Sequence, residues 1–414
     1  MHLNKEKTVI VCDKVMEYGL YLLVYFLPIS KAIIEICATI VILAFFIKRL
    51  MVKNFAANTF LDIPLLVYIF ICGLSVIFSS NIAISIRNFS TKLIENVLIF
   101  FVVVEAINTK KKVRNILSIL FISATLICID GIFQFFTHKD FIRHRNWPYD
   151  TKPFTLRIMG PFITPNDLAA YLTPLVIINL SLFFVRFKSL FVKYSFRLLG
   201  IALLICLFLA LSRGAWIGFI FGLLFIVIFG ERKKAFILLF LILISTSLLP
   251  FLSQSKKAVL VGRLNYSDAG GYQRKILNRI GWDMWKERPI FGSGLGTFMY
   301  NFERFNYDKK EYPWGPSYAH NCYMQMLAET GILGLCAFMW IIITLFKKSL
   351  KIIKISKDYI YRNISIGLLG GLLAYLVHSA FDTNLYNLDI GILFWILLGL
   401  NQNQLQLTEN NKGT

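Results

Sequence analysis

Residues 198–230 read LLGIALLICLFLALSRGAWIGFIFGLLFIVIFG. As one helix this run is too long, because about 20 apolar residues already cross the hydrocarbon core of a bilayer. It is interrupted once, at Leu211-Ser212-Arg213-Gly214-Ala215. Two short spans joined by a tight turn satisfy both facts, with Gly214 supplying the permissive backbone. The stretch reads as a membrane hairpin.

Similar apolar segments recur on either side of it. They fall at about 16–28, 30–47, 63–79, 91–107, 115–136, 167–185, 198–211, 215–230, 235–252, 331–346, 364–381 and 387–400. Twelve of them predict an all-α polytopic membrane protein with about 12 transmembrane helices. Several are short for an upright span, so they must pack in a bundle. Pro28 breaks the chain between the first two and makes them a hairpin. Composition agrees. Of 414 residues 57% are hydrophobic and 16% charged, against about 45–50% and about 25% in soluble domains. A soluble enzyme, a disordered scaffold and a disulfide-rich secreted domain are excluded. The seven cysteines sit mostly inside apolar runs as small hydrophobes.

The net charge of +21 would suggest nucleic acid in a soluble protein. Here the loops explain it, and no nucleic-acid partner is expected. Short loops carrying Lys48, Arg49 and Lys53, then Lys110, Lys111, Lys112 and Arg114, then Arg186, Lys188, Lys193 and Arg197 alternate with loops poor in cations. Arg232–Lys234 and the stretch Lys347–Arg362 continue the series. The positive-inside rule makes these loops cytoplasmic. The expected organisation is therefore a cytoplasmic N-terminus over 1–14, a single membrane domain over 15–400, and a cytoplasmic polar tail over 401–414. Two longer segments, 137–166 and 253–330, face outward. The second is too long for a plain connector and should be structured.

Chemistry-bearing residues crowd the outward side. Arg213 lies at the hairpin turn, where an interfacial arginine either snorkels to the headgroups or holds a lipid phosphate. In the long loop, Tyr272, Ile276, Ile280 and Met284 recur every four residues, a stripe suited to the membrane surface. Arg274 and Asn278 lie off that stripe. Pro289 stops the helix, and Gly292-Ser293-Gly294-Leu295-Gly296 reads as turns and close backbone packing rather than a nucleotide loop. His320, beside Asn321 and near Tyr323, sits where a polar loop enters the membrane and has the chemistry of a general base. Glu329 is half a helical rotation away and should not orient it. His378 and Asp382 are one turn apart and expected to share a helix face. Asp130 is a further intramembrane acid. No Asp-x-Asp, His-Glu-x-x-His or cysteine cluster is present in the outer loops, so no metal site and no cofactor are expected.

Taken together, several of these motifs resemble the O-antigen ligase and polymerase superfamily. They are Leu211-Ser-Arg-Gly-Ala215, the arginine preceding Pro289-x-x-Gly292-x-Gly294, Ala319-His320-Asn321-x-Tyr323 and Glu329-x-Gly331. Arg157-x-x-Gly160 and Thr164-Pro165-Asn166-x-x-Ala169 fit the same pattern. The resemblance runs from about Arg157 to Leu400. It implies a GT-C-type fold in the bacterial inner membrane and a metal-independent, inverting glycosyltransferase working on the periplasmic side. The donor would be a glycan on undecaprenyl diphosphate, and the acceptor a hydroxyl of another glycan or of lipid A-core. Carried over by motif, Arg213 and Arg274 bind the donor diphosphate, with Arg279 and Arg263 as neighbours of the second. His320 activates the acceptor, and Arg157, Asn166, Asn321, Tyr323 and Asp382 belong to the substrate site. A polymerase that joins lipid-linked repeat units stays open on these motifs. A transporter or flippase of lipid-linked sugars predicts ionisable residues near mid-membrane instead.

Overall fold

The computed structural model describes residues 2–54, 58–145, 157–183, 185, 189–230, 269–306 and 315–409. Helices dominate these residues. Four of them are long and apolar enough to cross a membrane: Lys110–Thr137, Leu190–Leu209, Cys322–Ile355 and Tyr359–Ser379. Asp62–Ile77 and Arg213–Phe229 are shorter apolar helices. Helices of this length and composition are those of a multi-pass membrane protein. The apolar segment 235–252 lies outside the described residues, as do 146–156 and 253–268.

The helices carry apolar side chains on their outer faces as well as inward. On Lys31–Val52, Ile36, Leu43 and Leu50 stay 59%, 56% and 61% exposed while Ile34, Ala38 and Val41 are fully buried. Such a surface is costly in water and neutral in lipid.

The chain divides into two units. The first comprises Met1–Leu117, Ala269–Ile352 and Ser379–Thr414. In it, His2–Phe26 and Lys31–Val52 form the hairpin expected at Pro28, with Ser30 capping the second helix. The basic residues at the end of that hairpin are not bare. Lys48 binds Asp13 at 2.6 Å and also Glu105, which pairs Arg49 at 2.5 Å. Lys48 and Arg49 are thus paired with acids inside the bundle. The final helix, Leu388–Glu409, runs past Leu400. Asn401 to Gln404 are buried, and Asn403 donates to the carbonyls of Val103 and Ile107 at 3.0 and 2.9 Å. The polar run expected as a tail closes the open end of the neighbouring helix Glu95–Ala106.

The second unit comprises Ser118–Asp268 and Ile353–His378. Leu190–Leu209 and Arg213–Phe229 are the two arms of the hairpin read from the sequence. The turn differs in one respect. Gly214 lies inside the second helix, and the left-handed residue is Leu211 at φ 47°. Glycine's use here is close approach: a Cβ on Gly218 would stand 2.4 Å from the carbonyl oxygen of Ala374.

Candidate functional site

In the first unit the helix Ala269–Glu287 is held by one face. Ile276, Leu277, Ile280 and Met284 are buried against Phe298, Phe302, Phe305, Ala319 and Ala328. The stripe expected on the membrane surface is therefore a protein core, and only Tyr272, at 50% exposure, stays outside it. A four-residue apolar period cannot distinguish lipid from a neighbouring helix. Packed this way, the helix turns Arg274 and Asn278 toward the entry of Cys322–Ile355. The order of contacts there is tight. Asn278 donates to the Arg274 carbonyl at 2.6 Å and accepts from Asn321 at 3.2 Å. The Asn321 side-chain oxygen accepts from the backbone N–H of Tyr323 and Met324 at 3.0 and 3.1 Å, which caps the helix.

His320 directly precedes that cap. Its backbone is left-handed, φ 48°, a conformation uncommon for a residue with a Cβ. The strain is held by flanking bonds and aims the ring at Asp382. His320 Nδ1 lies 3.0 Å from Asp382 Oδ1, and Arg274 Nη2 lies 3.8 Å from Asp382 Oδ2. Asp382 is itself anchored. Its Oδ1 also accepts the Thr383 N–H at 2.9 Å, and its carbonyl accepts the Cys322 thiol at 3.2 Å. Nδ1–H donating to a carboxylate leaves Nε2 with a lone pair. The side chain of His320 is 36% exposed and that of Asp382 12%, so the acid is buried behind the ring.

This arrangement departs from the expected pairing of His378 with Asp382. The helix Tyr359–Ser379 ends before Asp382, so a one-turn spacing no longer brings the two to one face. Asp382 turns to His320, 62 residues away in sequence. His378 Nε2 lies 3.5 Å from the Ser212 hydroxyl.

Glu329 serves the glycine loop. Fully buried, it accepts from the N–H groups of Gly296 and Phe298 at 2.9 and 3.2 Å and from Gln325 at 3.2 Å. Gly331 then breaks the helix at φ 67°. The N–H of the next residue, Ile332, donates to the Pro289 carbonyl at 2.9 Å. A Cβ on Gly331 would meet the Ile290 carbonyl oxygen at 2.1 Å, so only glycine fits. Glu329 and the glycines are the frame behind His320.

The second unit holds the other candidates. Arg157 donates from Nε to the Ala210 carbonyl at 2.9 Å and from Nη2 to Asn166 at 2.6 Å. It ties the start of Pro165–Leu182, where Thr164 and Asp167 form a capping box, to the turn that precedes Arg213. Arg213 is the first residue of Arg213–Phe229. Unbonded N–H groups in a first helical turn favour anions. Asp130 is buried and accepts the Phe141 N–H at 2.8 Å, a loop-closing role. Tyr323 is partly buried in the first turn of Cys322–Ile355. Arg279 is exposed, and Arg263 lies outside the described residues.

Sequence reasoning placed Asp382 near the chemistry without its partner, and Asn278 without a role. Neither has a local spacing signal, because both contacts join segments far apart in the chain.

Residues 198–339 fit the family model described as O-antigen ligase. Arg213, Arg274, His320 and Glu329 fall inside the matched segment, while Arg157, Asn166 and Asp382 fall outside it. No curated protein matches the chain.

Proposed function

We propose, from the premise that residues 198–339 assign this chain to the O-antigen ligase and polymerase family, that it is an inverting glycosyltransferase using His320 as its base. The family assignment implies a lipid-linked glycan transferase. The observation that carries the finer reading is the contact of His320 Nδ1 with Asp382, with Arg274 on the same carboxylate. A histidine held through one nitrogen by a buried acid presents the other in a fixed direction.

In this reading a glycan arrives on undecaprenyl diphosphate at the outer face of the bacterial inner membrane. The acceptor hydroxyl, on a glycan or lipid A-core, gives its proton to His320 Nε2 as its oxygen attacks the anomeric carbon. The new carbon–oxygen bond forms opposite the breaking bond to phosphate, which inverts the centre. Undecaprenyl diphosphate leaves with the electron pair. Arg274 neutralises charge growing on the leaving group, and Asp382 steadies the imidazolium. Arg213 is assigned to diphosphate on its motif and its place in a first helical turn.

The test is transfer by purified protein from undecaprenyl diphosphate glycan to candidate acceptors. We expect one discrete addition that is lost in His320→Ala while the donor still binds. A ladder of extended products would replace the ligase reading with the polymerase one. Transfer at the wild-type rate in His320→Ala would remove the mechanism.

A further inference from the structure

We propose that a half-open cavity beside the His320–Asp382 pair is a glycan subsite that takes an anionic sugar. The inference rests on the glycosyl-transfer reading and concerns which sugar that site accepts.

The cavity opens to solvent, and its wall is made within the first unit. Three features of that wall point to a carbohydrate. Its floor is aromatic, with Tyr68, Phe338, Tyr386 and Trp395, and flat apolar rings suit the C–H face of a pyranose. Its rim is amide. The NH₂ of Asn88 is held by the Ile84 carbonyl at 2.9 Å and that of Asn96 by the Lys92 carbonyl at 2.5 Å. Each amide keeps a side-chain oxygen and a second N–H that can bond sugar hydroxyls. Its cation is Lys92, and Leu295 and Gly296 of the glycine loop also line it.

Lys92 is displayed by an irregular element. The helix Ile82–Asn88 continues into Glu95–Ala106 through a π-helical turn, Phe89–Ile94. Such turns sit frequently at functional sites, because the widened backbone moves a side chain off the regular face. Among the described residues the Lys92 ammonium makes no ion pair; it stands over the Tyr318 ring, 5.8 Å from its centroid. Glu329 behind the loop is within electrostatic reach but is engaged by three donors. Lys92 thus keeps donors for an anion on a ligand. Burial raises the Tyr386 phenol well above its ordinary value, so it stays a neutral hydroxyl.

The cavity adjoins the reaction centre through two tyrosines. Tyr318 lies two residues before His320, Tyr386 four residues after Asp382, and their rings are 6.4 Å apart. A sugar in the cavity would belong to a glycan whose reacting unit is at His320.

The experiment measures binding of glucuronate, glucose 6-phosphate and glucose to the detergent-solubilised full chain by saturation-transfer NMR. Wild type is compared with Lys92→Gln, which removes the cation, and Leu295→Trp, which fills the cavity without touching charge. At least one anion should bind more tightly than glucose and weaken about tenfold or more in Lys92→Gln, the loss of one charge-assisted bond. Leu295→Trp should weaken it comparably. The two anions distinguish a carboxylate from a phosphate ligand. Glucose binding as well as both anions, or anion binding unchanged in either variant, would overturn the subsite. Transfer is followed alongside. Intact transfer with Lys92-independent binding rejects the subsite alone; Lys92-dependent binding without any transfer rejects the function proposed above.

Discussion

Arg157 and Arg274 stand in different units and are used in different ways. The Arg157 guanidinium is spent on protein, with one donor on the Ala210 carbonyl and another on Asn166. It braces the turn ahead of Arg213 much as a clamp would. Arg274 meets a carboxylate at the longer distance of 3.8 Å, and that carboxylate already serves His320. Close bonds to neutral groups make structure, whereas a looser pairing beside a half-exposed imidazole leaves a cation available to a substrate. An arginine's neighbours, more than its place in a motif, tell which task it has.

Substitutions can break or sharpen that contrast. The largest effect is expected at His320 itself. His320→Ala should lower transfer by about 10²–10⁴-fold, the usual worth of general-base assistance, with donor affinity kept. Next comes Arg274→Ala, which should weaken donor binding by about 1.5–3 kcal/mol, read by titration with undecaprenyl diphosphate glycan. Arg213→Ala should do the same, and lysine should not fully restore either. Asp382→Asn keeps size but withdraws the acceptor that sets the imidazole's tautomer. Its rate should fall about 10–100-fold at saturating donor, with little change in donor affinity.

The smallest catalytic effect is expected at Arg157. Arg157→Ala should lower stability by about 1.5–3 kcal/mol, seen in detergent melts, while the folded fraction transfers at close to the normal rate. If Arg157→Ala instead abolished donor binding in a fully stable protein, the contrast between the two arginines would collapse. Orientation has its own check. Cysteines placed in 347–362 should resist an impermeant reagent in intact cells, and cysteines at the exposed positions Gly315 and Pro316 should react.

Much of this was legible in the amino-acid pattern, and the failures share a cause. Apolar runs locate the four helices long enough to cross a membrane, because chain length against bilayer thickness is a local property. Pro289 and the glycine string were readable for the same reason, each acting on its own backbone. The Tyr272–Met284 stripe was misread because periodicity reports an apolar face without saying what covers it. Leu211 rather than Gly214 takes the left-handed turn because the helix starts one residue earlier, at Arg213, and uses Gly214 within its first turn. The pair of His320 and Asp382 was out of reach. It depends on the helix Tyr359–Ser379 stopping short, and a helical period assumed through Asp382 pointed that acid at His378.

The central claim is that His320 removes a proton from the acceptor and does not merely hold the loop. The most direct measurement is the single-turnover transfer rate of His320→Gln at saturating donor, from pH 5 to 8. Glutamine keeps a hydrogen-bonding side chain but cannot take up a proton at neutral pH. The expected result is bound donor and a rate lowered at least about 10²-fold at every pH. Wild-type rates for His320→Gln across that range would contradict it.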